Sequence, residues 1–557
     1  MNDKQNTSSP EEILKAIPLF KNLSDDDLEL IASRLHREHY PKGAVVFEEG
    51  AMGDSMYLVE SGQVQVVGAD YEEAIAVMGP GNFVGDIALL LGQPRTAALE
   101  VTIDAQLWAL KREDFDDLIE TRPSIALEMM RELSRRLVTA TRRKRQAARR
   151  RITAIAGGGK GVELSQAIHT NIKSPVGLLL LSRDKVLPDV TLDSGVMVLD
   201  SQDLTEASLA ESLSHQIEVF KHIVLLLPDH PTPLVQKAID LADTIVCIGD
   251  PPLWISESKK TSEMWVVNDT QVDLLRTARR LTNRTVGLAL SSGGARGLAH
   301  IGVIKVLVEE NIPIDMIAGT SAGALVGALH VVGWSYGQIL TYVQDLKSLT
   351  EFRNWDFTPP RLSGIVRGRK ARNEFLAGPL GERTFEDLET PLFIVAADIL
   401  TGEEVVFGSG PLVKATLADA IRASVSIPVL PDPWHYVGRY LVDGGLVNPL
   451  PASVLCDHGA DIVIASSVIR PLRDSYAGSR DKMPHVLQTI SNIFAAMEAE
   501  IVKEQLPLID ILIPHNVSAK HTFDFDHAEE LIRSGEEAAR QMIPDIKEKL
   551  EKPDEEE

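Results

Sequence analysis

The sequence predicts a multidomain chain in three folded parts: an N-terminal β-barrel of jelly-roll type, a middle α/β domain and a C-terminal α/β domain. Three observations carry this. The length of 557 residues suits three or four domains at about 150 residues each. From Ile17 to Leu110 short apolar runs alternate with glycine-marked turns, whereas from Val176 onward continuous apolar runs alternate with helical stretches. Two glycine-rich turns, around Gly294 and around Ser321, sit where an apolar strand meets a helix. The boundaries fall at 1–140 for the barrel and its following helix, 141–170 for a basic and Gly-rich linker, 171–283 for the Rossmann-like middle domain and 284–557 for the last domain.

In the first part, Ala44–Phe47, Met56–Val59 and Val64–Val67 read as strands, with Gly43, Gly50, Gly53, Gly62 and Gly68 between and around them. Leu28–Leu35 before them and Phe115–Leu137 after them read as helices, the second running on into a basic stripe. Gly157-Gly158-Gly159-Lys160-Gly161 breaks the pattern and is read as the linker. Strands are then expected at Val176–Leu181, Val196–Leu199, His222–Leu227, Thr244–Ile248 and Met264–Val267, with a helix over Pro233–Ala242. Strands alternating with helices in this way imply a parallel sheet covered on both faces. In the last part the spacing predicts strands at Thr285–Ser291, Ile314–Ala318, Leu392–Ala396, Tyr440–Val442 and Ile462–Ala465. Helices are expected over Leu298–Glu310, Ala322–Val332 and Ala528–Leu550.

Composition excludes several classes. Net charge is −24, which argues against wholesale nucleic-acid binding. Yet the stretch from Arg131 to Arg151 holds ten basic residues against one acid, Glu132. Cys247 and Cys456 are too few for a disulfide framework or a cysteine-rich metal site, so no metal is expected. The opening residues MNDKQNTSSPEE have no apolar core, so no signal peptide is read and a reducing, cytoplasmic compartment is expected. Ile312–Trp334 is the most apolar long stretch, but it contains Asp315, Thr320, Ser321 and His330 and reads as a buried strand and helix. Contact with a membrane is therefore expected from the side.

The chemistry sits in the two glycine-rich turns. Gly319-Thr320-Ser321-Ala322-Gly323 is a Gly-x-Ser-x-Gly elbow: glycines permit a sharp turn that lifts the serine oxygen above the sheet, with a helix N-terminus beneath it. Ser292-Gly293-Gly294-Ala295-Arg296-Gly297 opens the preceding helix, where successive backbone N–H groups form an anion pocket. Alone it would suit a nucleotide phosphate; one βα step from the elbow it suits an oxyanion hole. A nucleophilic serine needs a base. The downstream histidines, among them His330 and His435, lie in no convincing turn. Asp443, which ends an apolar strand and precedes Gly444-Gly445, does, although an Asp–Gly turn is the plain alternative. An aspartate at its reference pKa of about 3.9 is a weak base, so burial against the serine would be required.

Together Gly293–Gly297, Gly319–Gly323 and Asp443-Gly444-Gly445 resemble, in order and spacing, the patatin-like phospholipases. The resemblance covers Thr285 to Ile543, including Arg422-Ala423-Ser424 to Pro428 and Phe523-Asp524-Phe525-Asp526. It implies a Ser321–Asp443 dyad without histidine, with Gly293, Gly294, Ala295, Arg296 and Gly297 as the oxyanion hole and Gly319 and Gly323 shaping the elbow. Ser292 stands where that family more often has a further glycine.

The N-terminal part resembles the cyclic nucleotide-binding domains through Pro18-Leu19-Phe20, Gly43, Phe47, Gly53-Asp54, Tyr57 and Phe83 to Leu90, then Pro94 to Ala97. The resemblance implies a phosphate cassette of Gly85, Asp86, Ile87, Ala88, Arg95 and Thr96. Helix-start N–H groups and Arg95 would meet a cyclic phosphate. Asp86 replaces the usual glutamate. A barrel joined through an α/β part to a patatin-like part resembles the neuropathy target esterase group. That implies an esterase of phospholipids or lysophospholipids at a membrane surface, with cAMP or cGMP as regulatory ligand, no required cofactor and no nucleic-acid partner. A catalytically silent scaffold and a cyclic-nucleotide-responsive regulator binding nucleic acid are the alternatives. The basic stripe is the regulator's sole support.

Overall fold

The computed structural model describes residues 14, 20, 23–68, 76–80, 82–85, 89, 94–122, 125, 151–181, 195–199, 204–256, 264–346, 376–428, 431–469, 486–515 and 525–551. The chain forms two compact units, Met1–Thr141 and Arg142–Glu557.

The first unit is an antiparallel β structure. Strand Ser55–Val67 pairs along its length with Ala98–Lys111, and His36–Tyr40 and Val45–Phe47 add to the latter. Ala76–Met78 and Phe83–Val84 pair with the former. Where the sequence suggested two strands separated by a turn at Gly62, a single strand runs through. Gly62 has φ +87°, and a Cβ there would stand 2.2 Å from the Asp104 carbonyl oxygen. It marks an irregularity in the ladder, which shifts register between Val59 and Val64. The helix expected over Leu28–Leu35 is Asp25–Ala32, earlier than the apolar spacing suggested. The Ser24 hydroxyl caps the Asp27 amide, and three aspartates occupy the first turn, where the helix dipole favours them. After the barrel, helix Arg112–Thr121 ends before Arg122-Pro123, as a proline restricts the residue before it. The expected continuation to Leu137 and most of the basic stripe lie outside the described residues.

The second unit contains two sheets. The first is all parallel, in the order Met264–Val267, Thr244–Ile248, Ile152–Ala156, His222–Leu226, Val176–Leu180, Val196–Leu199. One sequence expectation is corrected here. Residues 141–170 are not simply a linker, because Ile152–Ala156 is an inner strand and Gly159–Ile172 a helix. The glycine run is the turn between them. A Cβ on Gly157 would stand 2.8 Å from the Ile248 Cβ, and one on Gly161 2.4 Å from the Leu226 Cδ1. The glycines thus serve close packing rather than a loose connection.

The second sheet runs Trp434–Tyr436, Arg439–Asp443, Leu392–Asp398, Met316–Thr320, Val286–Leu290, Ile462–Ser467, Ile511–Pro514, with Glu404–Phe407 also paired to Leu392–Asp398. Strands Leu392–Asp398, Met316–Thr320, Val286–Leu290 and Ile462–Ser467 are mutually parallel and buried on both faces, which explains their continuous apolar text, while Arg439–Asp443 joins antiparallel. Helices Ala299–Glu309, Ala322–Val331 and Ala528–Glu551 cover it. The two sheets are tied by helix Gln271–Leu281. Arg279 donates from Nε to Asp315 Oδ2 at 2.8 Å, and Arg276 reaches the Glu389 carbonyl at 2.8 Å and Thr390 Oγ1 at 3.0 Å. Asp315 also accepts the Val286 amide at 2.9 Å, so this buried carboxylate is satisfied from both sides of the junction.

Candidate active site

Strand Met316–Thr320 turns sharply into helix Ala322–Val331 at Ser321, whose backbone sits at φ 54° and ψ −116°. That conformation is unfavourable for a residue with a side chain and persists only where surroundings enforce it. Here they do. The Ser321 amide donates to Ser424 Oγ at 2.8 Å, and Ser424 in turn donates to the Val395 carbonyl at 2.6 Å. The flanking glycines permit the turn to pack. A Cβ on Gly323 would lie 2.3 Å from the Leu290 carbonyl oxygen, and one on Gly319 2.7 Å from the Ala324 nitrogen.

Asp443 ends its strand beside this turn. Ser321 Oγ donates to Asp443 Oδ2 at 2.7 Å, and the Gly445 amide donates to Asp443 Oδ1 at 2.8 Å. Gly444 has to be glycine, since a Cβ would stand 2.3 Å from the Val395 carbonyl oxygen. Burial pushes the Asp443 carboxyl up to about 6, against the opposing pull of the Gly445 amide and the Ser321 hydroxyl. The weak-base objection from the sequence is thereby reduced.

The residues Gly294–Leu298 form a short 3-10 turn before helix Ala299–Glu309. The first N–H groups of such a turn have no partner within it. Gly294 lies at φ 56°, and a Cβ on Gly297 would stand 2.4 Å from the Ala322 Cβ. The anion turn therefore packs directly on the serine elbow. A buried relay lies beneath it. His300 Nε2 faces the Ser291 carbonyl at 3.0 Å and so carries the proton; Nδ1 accepts from Ser466 Oγ at 2.7 Å, and Ser466 accepts from His515 Nε2 at 2.8 Å. Burial holds His300 down at about 4, so it stays neutral.

Neither alternative base is at the serine. His330 closes helix Ala322–Val331, roughly 13 Å along the axis from Ser321. His435 stands on the edge strand, ring against Tyr440 at 4.9 Å. Three contributors escaped sequence reading. Ser424 supports the elbow, Arg422 steadies the Ser424 segment by donating to Ser426 and to the Asp432 carbonyl, and Glu498 accepts a 2.5 Å hydrogen bond from Ser292 Oγ. Ser424 and Arg422 fall inside a stretch the resemblance already marked; Glu498 carries no local signal.

Two family models match the chain: patatin-like phospholipase over residues 288–455 and cyclic nucleotide-binding domain over residues 37–122. The C-terminal part is a patatin-like phospholipase domain. The chain is a lipid-hydrolysing esterase with a cyclic nucleotide-binding domain before it. It is similar to an uncharacterized NTE family protein of Mycobacterium tuberculosis, 27% identical over 581 residues, which span 96% of this chain and 97% of that protein. A second NTE family protein, from Mycobacterium bovis, is 41% identical over 206 residues, covering 36% of this chain and 53% of that one. Patatin-like phospholipase domain-containing protein 6 of Pongo abelii is 24% identical over 522 residues, covering 76% of this chain and 37% of that protein.

In the cyclic nucleotide-binding domain, Asp86, Ile87 and Ala88 lie outside the described residues. Gly85, at φ +86°, and Arg95 come together, with Arg95 Nη1 donating to the Gly85 carbonyl at 3.0 Å and Nη2 to the Ser55 carbonyl at 2.5 Å. The guanidinium lies 4.1 Å over the Phe47 ring, and Arg95 is 4% exposed. Thr96 beside it is exposed. A phosphate at this place competes with two backbone carbonyls for the same donors. Among the described residues no cluster of metal-ligating side chains occurs, and no helix is long and apolar enough to cross a membrane.

Proposed function

We propose that the patatin-like domain hydrolyses fatty-acyl esters of lysophospholipids or phospholipids through a Ser321–Asp443 dyad. The observation that carries the reading is the 2.7 Å hydrogen bond from Ser321 Oγ to a buried Asp443, made at a serine in strained backbone geometry. Ser321 attacks the ester carbonyl while Asp443 takes its proton. The amides of Gly293 to Gly297 face the developing oxyanion, and the partial positive charge of the helix below adds to them. Asp443 returns the proton to the departing alcohol. It then draws a proton from the water that releases the fatty acid and restores Ser321. No metal takes part in this sequence.

The cyclic nucleotide-binding domain supports a regulatory reading, with cAMP or cGMP bound at Gly85, Arg95 and Thr96 together with residues 86–88. Such a ligand changes turnover only if it binds two states of the enzyme unequally. The lipid substrate places the enzyme at a membrane surface, approached from the cytoplasmic face, and the basic stripe of Arg142 to Arg151 suits anionic headgroups at about 1 kcal/mol per charge. One assay tests the whole reading: fatty-acid release from a panel of lysophospholipid and phospholipid vesicles, with and without each nucleotide. Release by the parent and none by Ser321→Ala is the expected result. Equal release by both overturns the dyad, and indifference to both nucleotides overturns the regulation.

A further inference from the structure

Glu498 lies on helix Val486–Gln505, far along the chain from every motif of the site, yet its carboxyl is placed among them. Ser292 Oγ donates to Glu498 Oε1 at 2.5 Å, the short length of a hydrogen bond to a charged acceptor. Ser292 itself is 2% exposed and fixed on the backbone side, its amide donating to the Pro449 carbonyl at 2.8 Å. It is the residue immediately before Gly293, so whatever holds its side chain holds the entrance to the anion turn.

The same carboxyl faces Asp443 across a glycine. A Cβ on Gly445 would lie 2.5 Å from Glu498 Oε1 and 3.2 Å from Asp443 Oδ1. The two acids therefore share one enclosed space. No side chain at Gly445 separates them, and the Gly445 amide is already committed to Asp443.

We propose that Glu498 is a positioning residue for ester hydrolysis: it anchors Ser292 at the mouth of the anion turn, and once ionised its negative charge makes the neighbouring Asp443 a stronger base. This rests on the Ser321–Asp443 reading. Like charges in a low-dielectric space raise each other's affinity for protons, and a base of higher affinity removes the serine proton more readily. Burial and the nearness of Asp443 push Glu498 up to about 7, while Ser292 and the Arg296 guanidinium pull the other way. Among the described residues Asp443 and Arg296 are the charged groups facing it. On its own helix Glu500 and Lys503 pair with each other in solvent at 2.6 Å.

The test is the pH dependence of kcat/KM with a soluble probe, p-nitrophenyl butyrate, on the full chain. Glu498→Gln keeps an acceptor for Ser292 and loses the charge. The parent's acid limb should rise in two steps, through about 6 and about 7, whereas this variant should keep a single titration near the first and an alkaline plateau lower by about twofold or more. Glu498→Ala loses both functions, so the same single titration should come with a plateau lower than the parent's by about tenfold or more. A merely structural role would leave the acid limb of the same shape in the parent and the Gln variant. An acid limb and a plateau in Glu498→Gln equal to the parent's overturn the charge role, and equal plateaus in the Gln and Ala variants overturn the anchoring role. If the Ala variant does not fold, the ratio of kcat to KM effects in Ser292→Ala replaces it: a fall in kcat at constant KM is expected, and unchanged kcat overturns the anchoring. Ser321→Ala is assayed alongside. Its inactivity upholds the dyad whatever Glu498 does, and its activity fails the dyad itself.

Discussion

Ser321 and Asp443, far apart in sequence, meet in a 2.7 Å hydrogen bond because two turns converge at the carboxyl ends of strands that flank a shared neighbour. Strand Leu392–Asp398 lies between their strands and pairs with both. The contact is thus set by register: Thr320 stands opposite Val395, and Asp443 opposite Ala396. Asp443 also shares its enclosure with Glu498, so the site holds two buried acids and a neutral histidine.

Removal of either dyad member should abolish turnover. Ser321→Ala and Asp443→Asn are each expected to lose about 10³-fold or more in kcat, and the double variant little more than either alone. Steady-state kinetics on a soluble ester measures this. Near-parental turnover by Asp443→Asn would contradict a histidine-free mechanism.

Asp443 should tax stability at neutral pH. Its carboxyl binds a proton more tightly in the fold, at about 6, than at its ordinary value of 3.8. The stability it contributes is therefore full below the unfolded value and is lost as pH rises through about 6. Asp443→Asn, which cannot ionise, should resist urea better than the parent by about 3 kcal/mol near pH 8. The gain should vanish towards about pH 4. Equal gains at both pH values would exclude the burial of charge as its cause.

The elbow should tolerate no side chain at Gly323. A Cβ there meets the carbonyl oxygens of Leu290 at 2.3 Å and Ser291 at 2.7 Å, backbone atoms at the end of a central strand and just beyond it. Gly323→Ala should cost about 2 kcal/mol or more. Gly337→Ala, where nothing lies within 4 Å, serves as the control and should leave thermal unfolding unchanged.

Arg95 should matter to the barrel with no nucleotide present. Its bonds to Gly85 and Ser55 and its stacking on Phe47 join three strand-end segments. Arg95→Ala should lower the unfolding temperature of the ligand-free protein and remove calorimetric binding of cAMP and cGMP together. A variant that unfolds like the parent while losing the ligand would assign Arg95 to binding alone.

Much of the site was legible because its constraints are local. Gly-x-Ser-x-Gly between an apolar strand and a helix specifies an elbow through backbone conformation within five residues. The anion turn and Asp443-Gly444-Gly445 likewise announce themselves by glycines at strand ends. The same local reasoning failed where glycine serves packing rather than turning. Gly62 sits inside one long strand against the Asp104 carbonyl, and Gly157 to Gly161 close a strand-to-helix turn at an inner strand of a sheet.

The sequence by itself determined the multidomain α/β and β architecture, the buried strands, the serine elbow and the aspartate turn, since each follows from period, glycine placement and charge over a short window. Only the tertiary structure decided which distant groups would complete them. Ser424 reaches Ser321 across a separation of 103 residues and Glu498 reaches Ser292 across 206. Neither has a local signature, because a hydroxyl or carboxyl on a helix acquires its role from what the fold places opposite it. Burial did the rest: the enclosed space that lifts Asp443 and Glu498 exists only once the strands and helices have closed around them.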